Sequence, residues 1–197
     1  MFNFVIDLIS RIGYFGVFLL MAAENIFPPI PSEIIMPFAG FVVSKGELNF
    51  AIVLLAGTAG SVAGALPWYF AGKWLGKERL ERLAKNHGRW LTVSPEEIGK
   101  SVDAFNRHGK KAVLFGRLIP AVRTLISVPA GIVEMKLSIF LAYTTAGSLV
   151  WTGVLAWAGF LLEKNYTTVG KYIDPTSKAI VATIFVVYVY RVVTHRK

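Results

Sequence analysis

Two stretches decide how this chain is read: IPSEIIMPFAGFV at residues 30–42 and IPAVRTLISVPAGIV at residues 119–133. Both open on Ile-Pro, place a charge a few residues later, run on through apolar residues and close around Ala-Gly. The charge is acidic in the first copy, at Glu33, and basic in the second, at Arg123. The surroundings are strongly apolar: 54% of the 197 residues are hydrophobic and only 17% are charged. Soluble domains carry about 25% charged residues. Apolar tracts occupy 12–23, 50–72, 112–133, 137–162 and 179–190. Two of them, 50–72 and 137–162, exceed the roughly 20 residues that span a hydrocarbon core. The expectation is an all-α integral membrane protein with one membrane domain over residues 1–197.

Each quoted stretch lies in a segment that proline interrupts. Residues 24–44 contain Pro28, Pro29, Pro31 and Pro37, and residues 112–133 contain Pro120 and Pro129. Proline has no N–H for the helical ladder and its ring clashes with the preceding turn, so a straight helix is not expected across either segment. Irregular backbone at membrane depth is tolerated only inside protein or beside a water-filled cavity. The economical reading is a pair of re-entrant hairpins, one over 24–44 and one over 112–133.

Charge sets the expected orientation. The net charge of +9 is concentrated between Lys73 and Lys111, where ten Lys/Arg stand against five Asp/Glu, and in the tail from Arg191 to Lys197. Basic segments flanking membrane tracts stay on the cytoplasmic side, which accounts for the basicity without a nucleic-acid partner. Residues 4–23 then run outward, 24–44 dip in from outside, and 50–72 return to a cytoplasmic loop over 73–111. The second hairpin enters from the cytoplasm and leaves at Glu134–Lys136, 137–162 run outward, and 178–193 return. Both termini are thereby cytoplasmic. The two hairpins face each other as an inverted repeat, the arrangement with which many carriers place a site near the midplane.

Smaller signals fill in the frame. Residues 12–23 have the length of a signal peptide, but Asp7 precedes them and no small-residue cleavage site follows, so they are read as retained. Gly60-x-x-x-Gly64 and the small residues Ala142, Ala146, Gly147, Gly153 and Gly159 predict close helix packing. Trp68, Tyr69 and Trp74 suggest an interfacial belt. In TVSPEEIGKSVDAFNRHG, Ser94, Pro95 and Glu97 form a helix start. Ile98, Val102 and Phe105 share a face, and Gly109 suits the end. The chain has no cysteine, and His87, His108 and His195 have no metal-ligand spacing. No G-x-S-x-G or P-loop occurs, so neither an enzyme nor a cofactor is expected.

Four charges remain in apolar surroundings: Glu24, Glu33, Arg117 and Arg123. Each would cost about 2.5–3.5 kcal/mol at the centre of a bilayer on insertion scales, so they are expected to share a cavity, pair, or meet a ligand. Arginine offers a planar fork to phosphate oxygens, and a desolvated carboxylate can take up a proton. Arg117 and Arg123 are therefore the candidate phosphate-binding residues, and Glu24 and Glu33 the candidate proton-coupling residues. Salt bridges that merely hold the hairpins together are the structural alternative.

ENIFPPIPSE with the following PFAG, and FGRLIPAVRTLISVPAGIVEM, resemble the two hallmark motifs of the DedA family, also known as the SNARE-associated or VTT-domain family. The resemblance covers roughly residues 10–160. It implies a bacterial inner-membrane protein that translocates lipid, undecaprenyl phosphate or phosphatidylethanolamine, often with dependence on proton-motive force. It places the family's functional acids at Glu24 and Glu33 and its arginines at Arg117 and Arg123. Many members carry Asp at the second acidic position, with different spacing from the first. The resulting expectation is a flippase for a phosphate-bearing lipid, coupled to H⁺ or Na⁺. Its competitors are an ion-coupled carrier of a soluble solute and a non-transporting scaffold; a homodimer is left open.

Overall fold

The computed structural model describes residues 2–26, 32–91, 95–120 and 122–161. The expected break prolines Pro28, Pro29 and Pro31, the cap residue Ser94 and the expected span at 178–193 lie outside these residues. Seven helices and no strand occur among the described residues: α1 Phe2–Ile26, α2 Ser32–Ser44, α3 Phe50–Leu91, α4 Pro95–His108, α5 Lys110–Arg117, α6 Ser127–Ile132 and α7 Leu137–Leu161.

Three helices contain stretches long and apolar enough to cross a membrane: Leu8–Ile26, Phe50–Leu83 and Leu137–Leu161. The first is interrupted. Gly13 has φ 55° and ψ −128°, which turns the chain inside α1, and only glycine adopts such a conformation without strain. The straight part that follows, residues 14–26, is about 20 Å long at ~1.5 Å per residue, short of a ~30 Å hydrocarbon core. α2, with 13 residues, is equally short. Just before α3, the Asn49 N–H donates to the Tyr14 hydroxyl at 2.9 Å. The start of the α1 arm and the exit from α2 therefore share one end of the molecule. Residues 14–26 and 32–44 are thus the two helical arms of the first hairpin.

Pro37 does not interrupt this hairpin. It sits inside α2, where its missing N–H removes one rung of the ladder while the rest of the helix continues. In the second hairpin α5 and α6 flank turns over 118–120 and 122–126, and Pro120 lies in these turns. Pro129 is the third residue of α6. Its missing N–H falls among the first four of the helix, which have no intrahelical partner, so it helps start α6 and does not break it. Glu134, at φ 51°, closes the hairpin. The Glu134 N–H reaches Gly131 O at 2.9 Å and the Met135 N–H reaches Ala130 O at 3.0 Å.

α3 and α7 run antiparallel through the centre, joined by the Thr58–Thr152 and Ser61–Ser148 hydroxyl pairs at 3.1 and 3.2 Å. The two hairpins pack along this pair. Their return arms are seated alike. A Cβ at Gly40 of α2 would strike the Ala156 carbonyl oxygen of α7, and one at Gly159 would strike that of Pro37. A Cβ at Gly131 of α6 would strike the Tyr69 carbonyl oxygen of α3, and one at Gly72 that of Val128. The Ala-Gly pair that closes each quoted stretch is therefore a backbone-to-backbone contact with a long helix. Gly60 and Gly64 serve α1 in the same way, beneath the carbonyls of Phe18 and Ala22, as their spacing predicts. On α7, Gly147 and Gly159 make close contacts, whereas Ala142 and Ala146 are exposed.

Two apolar cores result. One gathers Ile9, Val17, Met21, Ile35, Met36 and Val53 around the first hairpin. The other gathers Ala65, Tyr69, Phe105, Val113, Ala130 and Phe140 around the second. The aromatic belt expected at 68–74 is only partly present: Trp74 is exposed, but Tyr69 is buried and stacked on Phe140 at 4.6 Å. The Trp68 indole turns inward to donate to Asn25 O at 2.9 Å. Residues 73–91, expected as loop, continue α3 beyond a turn at Gly76 with φ 67°. α4 starts at Pro95 and ends before Gly109, whose φ is 54°. Val102 and Phe105 are buried on its apolar face.

Candidate functional site at the hairpin tips

The two tips meet midway along α3 and α7, and three of the four expected charges meet there. Arg123 Nη2 donates to Glu24 Oε1 in an ion pair between residues 99 positions apart. Both residues are 4% exposed. The Arg123 guanidinium also lies over the Trp151 ring of α7, 5.9 Å from its centroid, and the Trp151 indole donates to Ser32 Oγ at 3.2 Å. One tryptophan thus touches the second tip and the first turn of α2.

Arg117 is in a different position. It is 1% exposed, the largest fully buried side chain described, yet it forms no ion pair among the described residues. Nη1 donates to Asn25 Oδ1 at 3.1 Å and Nη2 to Ser127 Oγ at 2.9 Å. Nε has no partner among the described residues. Asn25 is the hub of the site. Its Nδ2 lies within hydrogen-bond distance of Glu24 Oε2 (3.1 Å), Ser61 Oγ (3.2 Å) and Met21 O (3.1 Å). Ser61 in turn pairs with Ser148, so the network extends from the tips into both long helices.

Glu33 lies within electrostatic reach of Glu24 but outside the ion pair. It occupies the first turn of α2, is half-buried, and makes no ion pair among the described residues. The two quoted stretches align Glu33 with Arg123, but the acid that meets Arg123 is Glu24. Both acids stand near the tip of the first hairpin, Glu24 at the end of α1 and Glu33 in the first turn of α2, and of the two it is Glu24 that reaches Arg123.

The sequence reading passed over Asn25, Ser61, Ser127, Ser148 and Trp151. A signal for some of them existed. Thr144, Ser148 and Thr152 recur every four residues on the otherwise apolar α7, and Thr58 and Ser61 lie three apart on α3. That spacing puts hydroxyls on one face of each helix. No group of three or more His, Asp or Glu side chains that could hold a metal occurs among the described residues.

Two buried arginines meet one buried glutamate, with Glu33 half-buried nearby, inside a helical membrane protein whose hairpins carry the two motif stretches. The VTT domain model matches residues 30–161. The chain belongs to the DedA family. It is 44% identical over 94% of its length, and 87% of the relative's, to a Lactococcus lactis subsp. cremoris protein named "Alkaline phosphatase-like protein". It is 30% identical to the Staphylococcus aureus "Undecaprenyl phosphate transporter A", over 94% of this chain and 92% of the relative. It is 28% identical to the Escherichia coli "Inner membrane protein YqjA", over 79% of this chain and 71% of the relative. No solved structure matches.

Proposed function

We propose that this DedA protein is a flippase of the bacterial inner membrane for a lipid with a phosphate head group, of the undecaprenyl phosphate class. The observation that carries the reading is Arg117, a buried guanidinium met only by neutral oxygens. A buried charge without a direct ion-pair partner is unfavourable, and a phosphate supplies a negative charge in a geometry the guanidinium fork matches. The printed names of the Staphylococcus aureus relative and of a Bacillus subtilis protein, both "Undecaprenyl phosphate transporter A", support the substrate class.

In this reading the hairpins are re-entrant, enter from opposite faces of the membrane and form an inverted repeat, with both termini cytoplasmic. Arms about 20 Å long and the matched glycine seats of α2 and α6 support it. The head group crosses between the tips while the tail stays in lipid. A cleft of about 600 Å³ beside the second hairpin, lined by Phe105, Phe115, Ile119, Leu125 and Lys111 among others, offers the tail a path. Glu24 is the titrating group. Proton uptake there removes the negative partner of Arg123 and gives the phosphate a second guanidinium. Glu33 assists from the first turn of α2, and H⁺ is the coupling ion.

One observation favours a scaffold instead: the Arg123–Glu24 pair already ties the tips together. The experiment that separates the two places the full chain in proteoliposomes with labelled undecaprenyl phosphate or the uncharged undecaprenol and follows transbilayer movement. The flippase moves only the phosphate lipid. Arg117→Lys, which keeps the charge but loses the fork, slows movement about tenfold or more while leaving a folded protein in the membrane. Glu24→Gln abolishes the pH dependence of movement. Absence of movement in the wild-type protein overturns the proposal.

A further inference from the structure

The hydrogen-bond network around Arg117 reaches α7 but does not return to the guanidinium. It runs from Nη1 to Asn25, from Asn25 to Ser61, and from Ser61 to Ser148 on α7. One turn before Ser148 on the same face stands Thr144, which is 0% exposed and whose Oγ1 has no partner among the described residues. The other orphan is Arg117 Nε. These are the two buried side-chain polar atoms without a hydrogen bond among the described residues, and they lie on packed helices. A Cβ at Gly147 would come within 2.7 Å of Arg117 Cβ and 3.3 Å of its Cγ. Thr144 precedes Gly147 by three positions, which sets their Cβ positions about 5–6 Å apart on a helix.

A threonine inside a helix commonly bonds the carbonyl one turn back, as Thr152 does to Ser148 O at 2.8 Å. Thr144 does not. Its hydroxyl and the Arg117 Nε–H are both donors, so one oxygen with two lone pairs satisfies both. The unbalanced positive charge of Arg117 favours an anionic oxygen over water. We infer that Thr144 Oγ1 and Arg117 Nε form an oxyanion subsite that holds one oxygen of the phosphate head group. This rests on the transport reading above, and it makes Thr144 a substrate-binding residue on a long helix rather than on either hairpin.

The test uses the detergent-purified full chain, with undecaprenyl phosphate as ligand and undecaprenol as control, and reads the melting temperature across a ligand titration. Thr144→Val keeps the shape and removes the hydroxyl; Thr144→Ser keeps the hydroxyl. The subsite predicts that valine weakens phosphate-lipid binding about tenfold or more, the factor carried by one hydrogen bond to a charged group. Serine binds like wild type. The ligand-free valine variant melts no lower than wild type, because in the empty site the hydroxyl bonds nothing. Unchanged binding in Thr144→Val overturns the subsite and leaves the transport reading intact. A lower ligand-free melting temperature in Thr144→Val also overturns it, since the hydroxyl would then hold a structural water. Failure of the wild-type protein to bind any phosphate lipid overturns both readings.

Discussion

The two hairpins solve one packing problem with opposite charge and unequal length. The first has arms of about 20 Å, a core of aliphatic side chains and an acid at its tip. The second has helices of 8 and 6 residues, leans on Tyr69, Phe105 and Phe140, and carries two arginines. Yet each return arm is seated by a glycine against the backbone of a long helix, α2 on α7 and α6 on α3. Close seating fixes where the tips stop, and the difference in sign makes their meeting attractive. The surplus arginine then decides what else the site can accept. The comparison separates what builds the site, the glycine seats, from what gives it chemistry, the unequal charge.

Reversing the sign of one tip should have the largest effect. Arg123→Glu buries two carboxylates against each other, and losing a buried pair costs about 3–5 kcal/mol. Little folded protein should be recovered, as judged by size-exclusion chromatography and melting temperature. Adding Glu24→Arg restores the pair in reverse and should recover most of the stability, whereas adding Glu33→Arg should not. Rescue by Glu33→Arg would mean that the aligned acids, and not the contacting ones, are partners.

Filling the seats should have the next largest effect, and should be similar in the two hairpins. Gly159→Val and Gly131→Val each force a backbone contact apart, at a cost of about 1–3 kcal/mol or more. Gly153→Ala, whose Cβ would meet only Leu54 Cδ1 at 3.6 Å, should change stability by less than about 0.5 kcal/mol. Denaturation of the three variants side by side measures this. A large loss at Gly131 with none at Gly159 would show that the seats are not equivalent.

The smallest expected effect lies where the tips share a residue. Trp151→Phe removes the indole hydrogen bond to Ser32, worth about 1 kcal/mol, and weakens the face under Arg123, worth about 0.5–1 kcal/mol. The melting temperature should fall by a few degrees with the fold intact. A loss as large as that of Arg123→Glu would make Trp151, and not the ion pair, the main tie between the hairpins.

Hydropathy and charge were enough to make this a helical membrane protein, because burial in lipid imposes long apolar runs that are visible residue by residue. The break near Pro120 was legible for the same local reason, as was the helix from Pro95 to the turn at Gly109. Pro37 misled because a helix can lose one rung and continue when its neighbours are packed, and that packing comes from Gly159, 122 positions away (159 − 37). The four charges could be named from composition alone, since ions in apolar sequence are costly wherever they point. Their pairing could not. Which acid meets Arg123 depends on how two tips 99 residues apart come together, and Asn25, Ser61 and Ser148 become a site only where three helices cross. A side chain's cost of burial is set locally by its own chemistry, but its partner is set by the tertiary structure.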